Sequence, residues 1–180
     1  DGFIIWGAQL EAGLRATSHI PTTIGPATRA ADALAPLSLS GLWAAAGGIG
    51  GTILMDVDAD GPVNTTRGYL WVVSDAGLSR LALRAWNQGV SDDSCKIVAG
   101  DGTANTDTLI ATALRGRQRI AVSYINGAAP MVSISGAAVV TSARNYVHDP
   151  TNTTITFGGG FYGHLRSIRI YRGPMTGAQL

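Results

Sequence analysis

Arg67-Gly68-Tyr69-Leu70-Trp71-Val72-Val73-Ser74-Asp75-Ala76-Gly77-Leu78-Ser79-Arg80-Leu81-Ala82-Leu83-Arg84-Ala85-Trp86-Asn87 is the stretch that decides the fold. Two runs rich in aromatic, aliphatic and β-branched residues, about 67–74 and 78–87, flank Asp75-Ala76-Gly77. Asp and Gly tolerate positive φ, so the stretch reads as a β-hairpin. Side chains alternate across a strand. Leu81, Leu83 and Ala85 therefore share one face of the second arm, and Arg80, Ala82, Arg84 and Trp86 the other. A greasy face backed by one that mixes Arg with an aromatic is the pattern of a half-buried antiparallel sheet. The mixed face is where a ligand would lie.

The same grammar runs outward in both directions. Strands are expected at about 3–10, 37–40, 51–59, 67–74, 78–87, 94–99, 108–113, 118–125, 131–135, 138–141, 153–157 and 162–172, with turns at Asp60-Gly61, Asp101-Gly102 and Asn126-Gly127. In the last strand Ile168 and Ile170 face one way, and Ser167, Arg169 and Tyr171 the other. Only Met175 to Leu180 reads as helical, as a short closing helix. The 180 residues hold one Glu (Glu11) and one Lys (Lys96) against eleven Asp and twelve Arg, and 24 Gly. A helical surface draws on Glu and Lys, so this composition also favours an all-β chain with many turns. The expected fold is an antiparallel two-sheet β-sandwich, not a parallel α/β sheet.

Composition excludes several function classes. Hydrophobic residues are 46% of the chain and charged residues 14%, the reverse of a disordered segment. A net charge of +1 gives no bulk attraction to nucleic acid or to a membrane surface. The longest uncharged apolar stretch, Gly41 to Met55, is too short and too Gly-rich to span a bilayer, so no membrane insertion is expected. Cys95 is alone, which precludes a disulfide within the chain. Its neighbours Asp92 and Asp93 disfavour a thiolate. The chain opens on Asp1-Gly2 without a start Met, and we expect it to be a piece of a longer polypeptide. Residues 1–35, with Pro21 and Pro26, read as a closing strand and connector, and 36–180 as the main domain.

Two resemblances add to this reading. Trp6-Gly7-Ala8-Gln9-Leu10-Glu11-Ala12-Gly13, Ala16-Thr17-Ser18-His19-Ile20-Pro21-Thr22 and Thr28-Arg29-Ala30-Ala31-Asp32 resemble a segment of phage and prophage tail and fibre proteins. There it closes a carbohydrate-binding-module-like β-sandwich, with Tyr usual where His19 stands. Gly51-Thr52-Ile53-Leu54-Met55-Asp56-Val57, Arg119-Ile120-Ala121-Val122-Ser123-Tyr124, Phe157-Gly158-Gly159 and Phe161 to Tyr171 are similar to a concanavalin A-like (laminin-G/pentraxin-type) jelly roll. Pro174 to Leu180 resembles the short helix that ends such domains. The resemblance implies a non-enzymatic domain of a virion tail fibre or spike that binds host-surface polysaccharide or other glycan. It also implies contacts with other tail proteins and a homo-oligomer, by resemblance a trimer. A structural docking module of the virion without sugar binding, or a bacterial surface adhesin, are the alternatives.

Candidate sites follow from chemistry. Aromatic rings stack on the C–H faces of sugars, and a few polar groups fix orientation. Trp86 with Arg84 and Asn87 fits that description, as does Tyr171 with Arg169, and Tyr162 lies near a predicted loop. Each also fits a core aromatic or a subunit interface. Asp56, Asp58 and Asp60 before Gly61 match the start of a calcium loop, although Arg67 stands at the twelfth position where an acid is required. A solvated strand face is the simpler reading of those aspartates. Glycoside hydrolysis needs two carboxyl groups flanking the bond, and the single Glu lies in the connector. No G-x-S-x-G is present, and Gly47 to Gly51 lacks the Lys-Ser/Thr of a phosphate loop. No catalytic residue is therefore assigned.

Overall fold

The computed structural model describes residues 36–38, 50–59, 68–73, 77–86 (without the Trp86 side chain), 94–158, 161 and 163–180. The chain divides into units 1–33 and 34–180, and everything below concerns the second. The strand expected at 3–10 lies outside the described residues, as do Asp60, Asn87 and Tyr162.

Among the described residues eleven strands form two antiparallel sheets. They are β1 (Leu37–Ser38), β2 (Gly50–Ala59), β3 (Gly68–Val72), β4 (Leu81–Trp86), β5 (Cys95–Gly100), β6 (Asn105–Ala111), β7 (Gly116–Ile125), β8 (Met131–Ile134), β9 (Val140–Thr141), β10 (Thr154–Phe157) and β11 (Gly163–Arg172). One sheet runs β1-β10-β3-β4-β5-β6 and the other β11-β2-β7-β8-β9. The fold is an all-β, two-sheet antiparallel sandwich of jelly-roll type. The expected closing helix is a single 3-10 turn, Gly177–Gln179. No helix among the described residues is long and apolar enough to cross a membrane.

Period-two patterning builds the core. Ile53, Met55 and Val57 of β2 and Ile120, Val122 and Tyr124 of β7 point inward from one sheet. Trp71, Leu81, Leu83, Ile97, Ile155 and Phe157 meet them from the other. Each of these large side chains contributes roughly 1.5–3 kcal/mol through its removal from water. The predicted inward face of β4 is therefore correct, as is the inward Ile168 and Ile170 of β11, which pack against the same core.

The hairpin at the heart of the sequence forms: β3 and β4 pair with Trp71 opposite Leu83 and Val72 opposite Ala82. It closes through Val73 N–H to the Leu81 carbonyl at 2.9 Å. The second arm starts later than expected, at Leu81. The Leu78 and Arg80 carbonyls instead accept from Gly102 and Gly100 of the neighbouring strand end. The edge strand β6 runs Asn105–Ala111, displaced from the expected 108–113. Its Asn, Asp and Thr residues look turn-like in sequence, but an edge strand tolerates them because its outer side faces water.

Candidate functional site

Of the predicted ligand residues with described side chains, Arg84 falls on the outer face of one sheet and Arg169 and Tyr171 on that of the other. Arg84 stands on the outward side of β4, in register with Tyr69 of β3 and Lys96 of β5. Here the expectation of a wet, mixed face needs correction. Ala82 is 0% exposed and packs with Val72 and Val98 into a second small apolar cluster, flanked by Tyr69. Arg84 is 3% exposed, and its guanidinium is committed to the Asp107 carboxylate of β6. A guanidinium shielded by its neighbours and held by a carboxylate ties β4 to β6; its surface is not offered to a ligand. Trp86 follows on the same strand, opposite Gly68.

The outer face of the other sheet is different. Register across β11, β2 and β7 sets its rows: Tyr171–Thr52–Ser123, Arg169–Leu54–Ala121 and Ser167–Asp56–Arg119, with Asp58–Arg117 beyond. The C-terminal segment crosses the first row. Thr52 Oγ1 donates to the Gly173 carbonyl at 3.2 Å and accepts the Met175 N–H at 3.0 Å. Ser123 Oγ donates to the Met175 carbonyl at 2.8 Å. These bonds explain why Thr52 and Ser123 are buried although they point outward.

Below that strap the face is open. A groove of about 150 Å³ is lined by Leu54, Met55, Asp56, Arg119, Ser167 and Arg169. A wider hollow of about 540 Å³ is lined by Asp56, Arg117, Arg119, Ser135, Gly136 and Leu180. Asp56 and Arg119 line both, so the two are contiguous. Tyr171 lies at the end of this face, 38% exposed. The groove thus offers an aliphatic floor, exposed guanidinium donors and a carboxylate acceptor within one surface.

Of the candidate calcium residues, Asp56 and Asp58 lie among the described residues and Asp60 does not. Asp56 and Asp58 share the outer face of β2, and arginines from both flanking strands already compensate them. Arg119 Nε donates to Asp56 at 3.4 Å, and Ser167 Oγ lies at the same distance. Arg166 Nη2 donates to Asp58 at 3.0 Å. A hard cation requires several converging oxygen ligands, and a neighbouring guanidinium opposes one electrostatically. Among the described residues no three acidic, His or Cys side chains cluster.

Burial pushes the Cys95 thiol up to about 12, which disfavours its nucleophilic thiolate. Tyr146 is 1% exposed and packs edge-on against Tyr124. Its hydroxyl lies 3.0 Å from His148 Nδ1. Burial raises the Tyr146 pKa and lowers that of His148. Asp101 sits below the usual carboxylate range because Thr103, Ala104 and Arg144 all donate to it.

Sequence reasoning found Arg169 and Tyr171 but missed Arg117 and Arg119. Their i, i+2 spacing before the inward Ile120 and Val122 was the available signal, since it places both on the outward face. Which strands lie beside them depends on sheet order.

No family model matches this chain, and no curated protein does. Solved structures do match. A leech intramolecular trans-sialidase superposes with a TM-score of 0.54 at 17% identity, over 81% of this chain and 25% of that one. The chain thus spans about a quarter of the leech enzyme's length. The carbohydrate-binding module (CBM40) of a Ruminococcus gnavus intramolecular trans-sialidase, bound to α2,3-sialyllactose, superposes with a TM-score of 0.54 at 15% identity. That match covers 73% of this chain and 80% of the module. At such identities the likeness establishes the sandwich fold. Neither neighbour is a tail-fibre protein, and residues 6–32, which carry that resemblance, lie outside the described residues.

Proposed function

We propose that this domain binds glycan without catalysing a reaction, and does so on the open half of the β11-β2-β7 outer face. The observation that carries the reading is the groove itself. Arg119, Arg169, Ser167 and Asp56 surround the aliphatic Leu54 on an exposed, rigid sheet surface. A sugar needs an apolar surface for its C–H face and convergent donors and acceptors for its hydroxyls. The sugar-binding module among the solved neighbours shares the fold and supports the same reading. The groove is shallow, so recognition by one copy is weak. In a homo-oligomer, by resemblance a trimer, avidity raises it by ~10²–10⁴.

The setting we propose is the exposed surface of a phage or phage-like tail fibre or spike, where the partner is host-surface polysaccharide and other tail proteins adjoin. The resemblance of residues 6–32 to tail proteins supports that setting. The compensated Asp56 and Asp58 support binding that needs no calcium.

A screen of the whole chain against a glycan array and bacterial envelope polysaccharides tests the reading. We expect binding that Tyr171→Ala weakens and that a chelator leaves unchanged. Absence of binding by well-folded wild-type protein at its native oligomeric state, together with capture of a second virion protein, would move the function to a docking module.

A further inference from the structure

We infer that the ligand of this face is an acidic glycan, a sugar polymer carrying carboxylate, sulfate or phosphate groups; the inference rests on the glycan reading above. Arg117, Arg119, Arg166 and Arg169 stand on this face against Asp56 and Asp58. The two aspartates are taken by Arg119 and Arg166. Arg117 and Arg169 are exposed, and neither has an ion pair among the described residues. Elsewhere on the described structure Arg84 is matched by Asp107 and Arg144 by Asp101, and Arg172 at the end of β11 is exposed without an ion pair. The chain as a whole is nearly neutral at +1, so the surplus on this face is a local arrangement and not a property of the composition.

The surplus is also spaced for a polymer. Arg117 lies in the Asp58 row of β7 and Arg169 in the Leu54 row of β11, on either side of β2. With strands ~4.8 Å apart and ~3.4 Å per residue, their backbones stand roughly 16 Å apart. That span exceeds one sugar ring, and the groove lies between. Arginine's planar fork suits carboxylate, sulfate and phosphate alike. Arg119, its side chain 73% exposed, holds Asp56 by a long contact of 3.4 Å and stands beside them at the groove. Asp56 and Ser167 then serve hydroxyls. This mixture argues against nucleic acid. A phosphate-dense strand gains nothing from two carboxylates and supplies few hydroxyl donors to them, whereas an acidic polysaccharide supplies both anions and hydroxyls.

The test is a binding series with the full 180-residue chain and five soluble polymers: polygalacturonate, dextran sulfate, a phosphate-bearing teichoic acid, neutral dextran and single-stranded DNA. Wild type is compared with the double variant Arg117→Ala/Arg169→Ala, both exposed strand positions, with melting curves verifying the fold. We expect at least one acidic polysaccharide to bind, to weaken about tenfold or more in the double variant, and to weaken further with salt. The polymer that binds best identifies the anion. Neutral dextran bound as tightly, or an acidic polymer bound equally by the double variant, overturns the acidic assignment and leaves the glycan reading standing. DNA bound in preference to every polysaccharide overturns it in favour of nucleic acid. No binding to any polymer by folded wild type overturns both.

Discussion

Gly100 shows how single residues hold this sandwich together. A Cβ there would fall inside van der Waals contact of the Leu78 carbonyl oxygen and Asn105 Oδ1. Gly100 N–H meanwhile donates to Arg80 at 2.8 Å. The close approach of two backbones leaves no room for a side chain, so Gly100→Ala is expected to lower stability by roughly 1–3 kcal/mol, read as a fall in melting temperature. Cys95 gives a second residue-level prediction. With its thiol buried and its pKa near 12, it should resist a thiol-labelling reagent in native protein and react at once in denaturant; fast native labelling would show that β5 opens. His148 sets a pH dependence. Its folded pKa lies below the ordinary 6.5 because burial disfavours the charged ring. Its Nδ1 lies 3.0 Å from the buried Tyr146 hydroxyl, and a charged ring there is poorly solvated. The unfolded chain takes up the proton first, so stability is full above about pH 6.5 and falls as the pH drops below it. Asp101 and Asp149, held below the ordinary 3.8 by hydrogen bonds, lose their contribution at still lower pH. A melting-temperature profile should therefore decline in two stages on acidification, and His148→Gln should remove the first.

At the scale of the strand, the central hairpin and the C-terminal strap carry the argument. Leu83 is wholly buried between Trp71 and Ile97 in register, and Leu83→Ala should cost ~2–5 kcal/mol. The strap is held to the sheet by Thr52 and Ser123. Thr52→Val removes two of its bonds, and amide exchange over 173–180 should then speed up while the core amides stay protected. The strands themselves were legible because alternation reports which side of a strand is dry: Leu81, Leu83 and Ala85 inward, Ile168 and Ile170 inward. What alternation could not report is the state of the other side. Arg84 and Arg169 have the same local signature, an Arg beside aliphatics. Yet one is buried against Asp107 in a central strand, and the other is open at the edge strand β11. Sheet order makes that difference. The same holds for the bulges in β3 and β11, where pairing slips at Tyr69/Trp71 and at Leu165/Ser167 and shifts the faces of the residues beyond.

For the whole molecule, the two outer faces are chemically unequal. The β4 side pairs its arginine and covers its small apolar cluster. The β11-β2-β7 side leaves arginines exposed around a groove, below a strap that covers only its first row. Half of the candidate site was therefore legible: Arg169 and Tyr171 were named from their own strand. Arg117, Arg119 and Leu54 join them only through antiparallel register, which brings residues far apart in the chain into one row. The most direct test is a titration of one bound glycan against wild type, Arg169→Ala and Trp86→Ala, each shown to be folded. Arg169→Ala should lose at least tenfold in affinity while Trp86→Ala binds as wild type does. Loss in Trp86→Ala with Arg169→Ala unaffected would contradict this and place the ligand on the other sheet.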